Sequence, residues 1–94
     1  MKYSLLVTDE IRGLIRHLPP DIKKKIRCAL DEILKEPASG KALQEELLGL
    51  RSYRLDALRI VYRINPTSIS LIAVGPRKTI YQRVALEIRK ESRF

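Results

Sequence analysis

Apolar side chains recur every three to four positions between residues 9 and 34, and every second position from Arg51 onward. A chain whose hydrophobic period changes once, from helical to extended, is expected to segregate its helices from its strands and bury one against the other. Residues 2–7 are short and β-prone, and Thr8-Asp9 offers a helix N-cap ahead of Ile11, Leu14, Ile15 and Leu18. Pro19-Pro20 ends that helix, and Pro20 or Asp21 opens a second, whose Ile22, Ile26, Ala29, Leu30, Ile33 and Leu34 keep helical spacing until Glu36-Pro37. The tight link makes the pair a helical hairpin. Residues 37–41 read as a loop, and 42–50 are ambiguous, with one helical turn as one reading. Strands are predicted over 51–56, 58–65 and 69–75, with a turn at Asn65-Pro66-Thr67-Ser68. Residues 69–74 are apolar on both faces, as in a strand at the centre of a sheet. Helical spacing resumes from Lys78 or Thr79 to Lys90, and Gly75-Pro76 is expected to bend the chain before it. The order β-α-α-β-β-β-α defines an α+β fold, an antiparallel-rich sheet with the N-terminal helical hairpin on one face. With no repeat or linker, residues 1–94 are expected to form a single domain.

A chain of 94 residues has room for one core. It buries only about 60–65% of its unfolded surface, so an open groove is expected in place of an enclosed site. Charge is unevenly spread. Residues 51–94 carry ten Lys or Arg against three acids, whereas residues 1–50 are nearly balanced, within a net charge of +8. Most of the bases in the second half are Arg, whose planar fork suits phosphate, so the expected partner is an anion, nucleic acid first. An anionic membrane is the rival, but no basic amphipathic stretch with aromatic anchors supports it. Cys28 stands alone, so no disulfide or paired thiol is expected, and it reads as a small, semi-buried helix-flank residue. His17 has no companion in metal-ligand spacing and reads as a surface or hydrogen-bonded helical histidine. The Lys23-Lys24-Lys25 run reads as a solvated face. Without a signal-like or membrane-length apolar run, the protein is expected in the cytoplasm.

One strand concentrates the chemistry. In Leu58–Ile64, Arg59, Val61 and Arg63 share one face and Leu58, Ile60, Tyr62 and Ile64 the other. If Asp56-Ala57 forms a two-residue hairpin turn, Arg54 lies directly opposite Arg59, an unfavourable pairing unless an anion covers it. A longer loop would still allow both arginines on one face. Arg77 follows the third strand, and Tyr81 projects from the same side of a helix starting there.

The segments E-L-L-G-L-R-S-Y-R-L-D-A-L-R-I-V-Y-R-I (46–64) and I-A-V-G-P-R-K-T-I-Y (72–81) resemble the RelE/ParE toxin superfamily of toxin–antitoxin pairs. The resemblance covers the whole chain and implies the small RelE-like fold. RelE-like members cut mRNA in the ribosomal decoding site without metal or other cofactor. ParE-like members share the fold and inhibit DNA gyrase. Carried over by position, Arg54, Arg59, Arg77 and Tyr81 are the implied catalytic residues. Arg51, Arg63, Lys78 and Arg83 are candidates for RNA binding. Ser52 stands where some active members carry a second basic residue, and Pro76 where several carry a basic residue or histidine. The implied partners are a cognate antitoxin, the ribosome and mRNA.

The chemistry is consistent with these residue types. Cleavage without metal requires the 2′-OH to be deprotonated, the pentacovalent phosphate's charge to be stabilised and the 5′-oxygen to be protonated. Preorganised arginines meet the second need. Tyr81 would be the base where cationic neighbours favour its phenolate, and Arg77 serves as acid or phosphate clamp. The plainer alternatives are a solvated strand arginine at 59 and a packing aromatic at 81. Tyr3, Tyr53 and Tyr62 are expected to pack in the core. Three functions follow: an mRNA endonuclease, a non-catalytic gyrase inhibitor, or an inactive module that binds nucleic acid or a protein.

Overall fold

A computed structural model describes residues 3–91. The chain runs β1 (Ser4–Leu6), α1 (Asp9–Arg16), α2 (Pro20–Lys35), β2 (Lys41–Ala42), β3 (Leu50–Leu55), β4 (Leu58–Ile64), β5 (Ser68–Pro76) and α3 (Arg77–Glu91). The five strands form one sheet in the order β1-β5-β4-β3-β2. Only β1 and β5 are parallel; the other pairs are antiparallel. This is the α+β architecture expected from the change of period.

Local chemistry accounts for the helix ends. Thr8 caps α1, its Oγ1 accepting from the Ile11 amide at 3.2 Å, with Asp9 and Glu10 in the positive first turn. Pro20 occupies the first turn of α2, where a missing N–H costs nothing, and the helix stops one residue before Glu36-Pro37. His17 caps the end of α1 and its Nδ1 lies 2.7 Å from the Gly13 carbonyl oxygen, a satisfied helical histidine. Cys28 departs from expectation: it is exposed, because Ile22, Ile26, Ala29 and Ile33 take the packed stripe of α2 and leave position 28 outside it.

The sheet is covered on both faces. Ile26, Ala29 and Ile33 of α2 pack on Ile60, Tyr62, Ile69, Leu71 and Val74, with Ile11 and Ile15 of α1 and Tyr3, Tyr53 and Leu55 alongside. On the opposite face, Ile80 and Val84 of α3 pack on Leu50 and Val61, joined by Ile72 and Ala73. β5 is thus sandwiched, as its two-sided apolar run requires. Between Val61 and Tyr62 the register with β5 shifts, Val61 pairing with Ala73 and Tyr62 with Leu71. The extra residue, Ile72, lets both Ile72 and Ala73 contribute to the α3 side.

Two regions differ from the sequence reading. The ambiguous segment holds a 3-10 turn at Pro37–Ser39, the two-residue strand β2 and a second 3-10 turn at Glu45–Leu47. It is tied down from the sheet, where Tyr62 Oη donates to the Pro37 carbonyl at 2.6 Å and accepts from the Gly40 amide at 2.9 Å. Gly75-Pro76 makes no bend. Pro76 still pairs with Leu58, and the Arg77 amide donates to the Ala57 carbonyl at 3.1 Å, so β5 runs straight into α3. A Cβ at 75 would lie 3.0 Å from Arg83 Nη1 and 3.1 Å from Ile80 Cδ1, so the ends of these two α3 side chains pack closely over the backbone there. Among the described residues no helix is long and apolar enough to cross a membrane.

Candidate functional site

The β3–β4 hairpin closes through Asp56-Ala57, with Leu55 opposite Leu58 and Arg54 directly opposite Arg59. Asp56 takes a left-handed φ of 54°, which aspartate tolerates better than most residues. Its carboxylate receives Lys25 Nζ of α2 at 2.9 Å, anchoring the turn to the helical layer. The hydrogen bond and charge of Lys25 hold the Asp56 carboxyl below its ordinary range, and the same contact raises Lys25. An exposed lysine–carboxylate contact thus links this turn to the helical layer.

Arg59 is 9% exposed. Its Nη1 donates to the turn carbonyls of Asp56 and Leu58 at 2.9 and 2.8 Å. None of the ion pairs among the described residues includes Arg54, Arg59, Arg77 or Lys78. The Arg59 side chain is thus shielded from water without a carboxylate to balance it, and its Nη1 fixes the fork while Nε and Nη2 remain to receive an acceptor. This excludes the solvated-arginine alternative at position 59. Arg54 is exposed beside it on the same face, because cross-strand partners point the same way.

Arg77 and Lys78 open α3 next to the hairpin turn, and the first turn of this helix contains no acid. Two cations at the positive end of a helix raise the potential where Arg54 and Arg59 already converge. One turn along, half-buried Tyr81 reaches down to the sheet, its Oη 2.9 Å from Ser52 Oγ. Ser52 is 6% exposed and pairs with Val61, so Ser52 and Arg54 line the α3 side of β3 in succession. Arg54 and Arg59 on the α3 side of the hairpin, Arg77 and Lys78 at the adjoining start of α3, and the Tyr81 phenol one turn on thus gather at one end of the sheet.

The other basic residues disperse. Arg51 shares the parity of Tyr53 and Leu55 and turns to the opposite face, where Nε and Nη2 donate to the Gly40 and Ala38 carbonyls at 2.9 and 3.1 Å. Arg63 pairs with Leu50 and is exposed on the α3 side, four residues from Arg59, or about 13 Å along the strand. Arg83 leaves α3 on the flank away from Tyr81, about 200° around the helix. It borders a groove between α1, β5 and α3 that Ile11, Leu14 and Leu86 also line. The sequence marks Ser52 only as a departure from the family pattern, whereas the structure gives it a partner in Tyr81. Period-two parity already placed it beside Arg54, but nothing in the sequence placed Tyr81 above it.

The sequence model of the ParE toxin of the type II toxin–antitoxin system parDE matches residues 1–81. Toxin RelG of Mycobacterium tuberculosis is 33% identical over 87 residues, 88% of this chain and 100% of that protein. The RelBE2 toxin–antitoxin complex of M. tuberculosis contains a chain with a TM-score of 0.71 at 31% identity, covering 82% of this chain and 100% of that one. A mutant of the Escherichia coli toxin RelE in its free state superimposes with a TM-score of 0.74 at 21% identity, covering 99% of this chain and all of that one, a likeness of fold.

Proposed function

The chain belongs to the RelE/ParE toxin superfamily of type II toxin–antitoxin systems, and from that membership we propose that it is a ribosome-dependent endoribonuclease that cuts mRNA in the decoding site. The observation that carries this reading is Arg59, a shielded guanidinium with no carboxylate, opposite Arg54 and beside the cationic start of α3. Such a cluster is poised for charge that develops on phosphorus, where preorganised donors act most strongly.

In this mechanism Tyr81 removes the proton of a ribose 2′-OH, whose oxygen attacks the adjacent phosphorus. Arg59 and Arg54 stabilise the pentacovalent phosphorane. The P–O5′ bond then breaks, leaving a 2′,3′-cyclic phosphate on one fragment and a 5′-OH, protonated from Arg77 or from water, on the other. Each arginine acts as charge and donor, and Tyr81 as base. Arg63, Lys78 and Arg83 would steer the message and ribosomal RNA by long-range attraction. Arg51, spent on two loop carbonyls, has little left to offer RNA.

The solved relatives bound to antitoxins support a cognate antitoxin for this chain, and an acidic segment suits the charge of its second half. The match to the ParE model supports a second reading, inhibition of gyrase without catalysis. The deciding experiment maps mRNA cuts on programmed ribosomes for the wild type, Arg59→Ala and Tyr81→Phe. Decoding-site cuts that fall by about 10²-fold or more in the variants support the nuclease. Folded wild-type protein that makes no cuts but inhibits supercoiling would transfer the activity to gyrase.

A further inference from the structure

We infer that Ser52 is a positioning residue for Tyr81, fixing the place of the phenol oxygen. The inference rests on the proposed nuclease reading and adds to it a residue that carries no charge.

The geometry is specific. Ser52 lies in the sheet between two ladders, paired with Lys41 of β2 and Val61 of β4, so its backbone has little freedom. It is 6% exposed, its neighbour across the strand is the buried Val61, and the α3 residues overhead, Ile80 and Val84, are apolar. An alanine or valine would suit that position at no polar cost, yet a hydroxyl stands there, and its side-chain partner is Tyr81 Oη at 2.9 Å. Tyr81 in turn rides on a helix whose start is locked, because β5 passes into α3 without a loop and the Arg77 amide is bonded to the hairpin turn. The Ser52–Tyr81 contact therefore sits one same-face step, about 7 Å, from the Arg54–Arg59 pair.

The chemistry follows from the direction of the bond. A hydroxyl can donate to a phenolate and can also accept from a phenol, so Ser52 serves both states of a base that gains a proton during the reaction. The bond therefore persists whichever way the proton moves, and Ser52 keeps the phenol oxygen at one point on the α3 side of the sheet, one same-face step along β3 from Arg54.

The test combines Ser52→Ala, Ser52→Thr, Tyr81→Phe and the double variant Ser52→Ala/Tyr81→Phe. Single-turnover mRNA cleavage on saturating programmed ribosomes should fall about tenfold to a hundredfold in Ser52→Ala, with ribosome affinity unchanged. Ser52→Thr, which keeps the hydroxyl, should restore the rate. In the Tyr81→Phe background, removing the hydroxyl should cost nothing more. Free protein provides a second readout without ribosomes. Of the four tyrosines, the near-ultraviolet circular dichroism lost in Tyr81→Phe belongs to Tyr81, and that signal should weaken in Ser52→Ala, where the ring loses its tether. An unchanged Tyr81 signal, an equal loss in the Tyr81→Phe background, or failure of Ser52→Thr to restore the rate would overturn the role of Ser52. A Tyr81 signal that weakens in Ser52→Ala, with wild-type protein that does not cleave, would overturn the nuclease and leave the pairing standing.

Discussion

Tyr62→Phe isolates how the loop before β3 is held to the sheet. Tyr62 is fully buried, and its hydroxyl bonds both the Pro37 carbonyl and the Gly40 amide. Phenylalanine keeps the ring and its packing on the α2 face, so the perturbation is the loss of two hydrogen bonds. Pro37 is half-buried and its oxygen regains water, which costs roughly 1 kcal/mol; the amide of buried Gly40 stays dry and costs about 1–3 kcal/mol. The expected loss is therefore about 2–4 kcal/mol, against a total of roughly 5–14 kcal/mol for a domain of this size. Urea unfolding followed by circular dichroism should show a lower midpoint with an unchanged slope, since the buried area is the same. Folded Tyr62→Phe should cleave at the wild-type rate, because Tyr62 and Tyr81 serve opposite faces of the sheet. A loss below about 0.5 kcal/mol would refute the reasoning and mean that the loop is held by other contacts.

Arg51→Ala should behave likewise, losing about 1–2 kcal/mol from its two bonds to loop carbonyls while folded protein keeps its decoding-site cuts; a selective loss of cutting would return Arg51 to the RNA surface. Arg59→Lys keeps the charge but not the fork bonded to two turn carbonyls, so cleavage should drop by about 10²-fold and urea stability by about 1–2 kcal/mol. Gly40→Ala should be strongly destabilising by the same unfolding assay, since its Cβ would fall 2.5 Å from Tyr62 Oη and 3.0 Å from the Ser52 carbonyl. The Lys25–Asp56 pair predicts a pH window. The lowered Asp56 carboxyl contributes stability above the ordinary aspartate value near 3.9 and loses it as pH falls through its folded value, while raised Lys25 contributes below about 10.4 and loses it as pH rises through its own. The small difference in melting temperature between wild type and Asp56→Asn should be flat near neutrality and vanish in acid; a difference that persists at low pH would show that the turn conformation, and not the ion pair, is responsible.

Wherever one local rule was sufficient, the sequence alone determined the structure. Thr8 as a cap, Pro20 in a first turn and Glu36-Pro37 as a stop set the ends of α1 and α2, because these signals act within a few residues. Alternation puts Arg54 opposite Arg59 only if the turn has two residues, and the structure supplies that turn at Asp56-Ala57, since a register in a hairpin follows from loop length. The same parity assigned Arg51 to the face of Tyr53 and Leu55, a legible signal that its charge overshadowed. Only the tertiary structure decided the segment 37–50, whose short elements depend on Tyr62 and Arg51 reaching across from the sheet. It also decided that Arg59 is shielded and that Tyr81 meets Ser52, residues 29 apart in the chain. Periodicity tells which side of an element a residue occupies; which element covers that side depends on how α3 packs back on the sheet, where Ile80 and Val84 meet Leu50 and Val61.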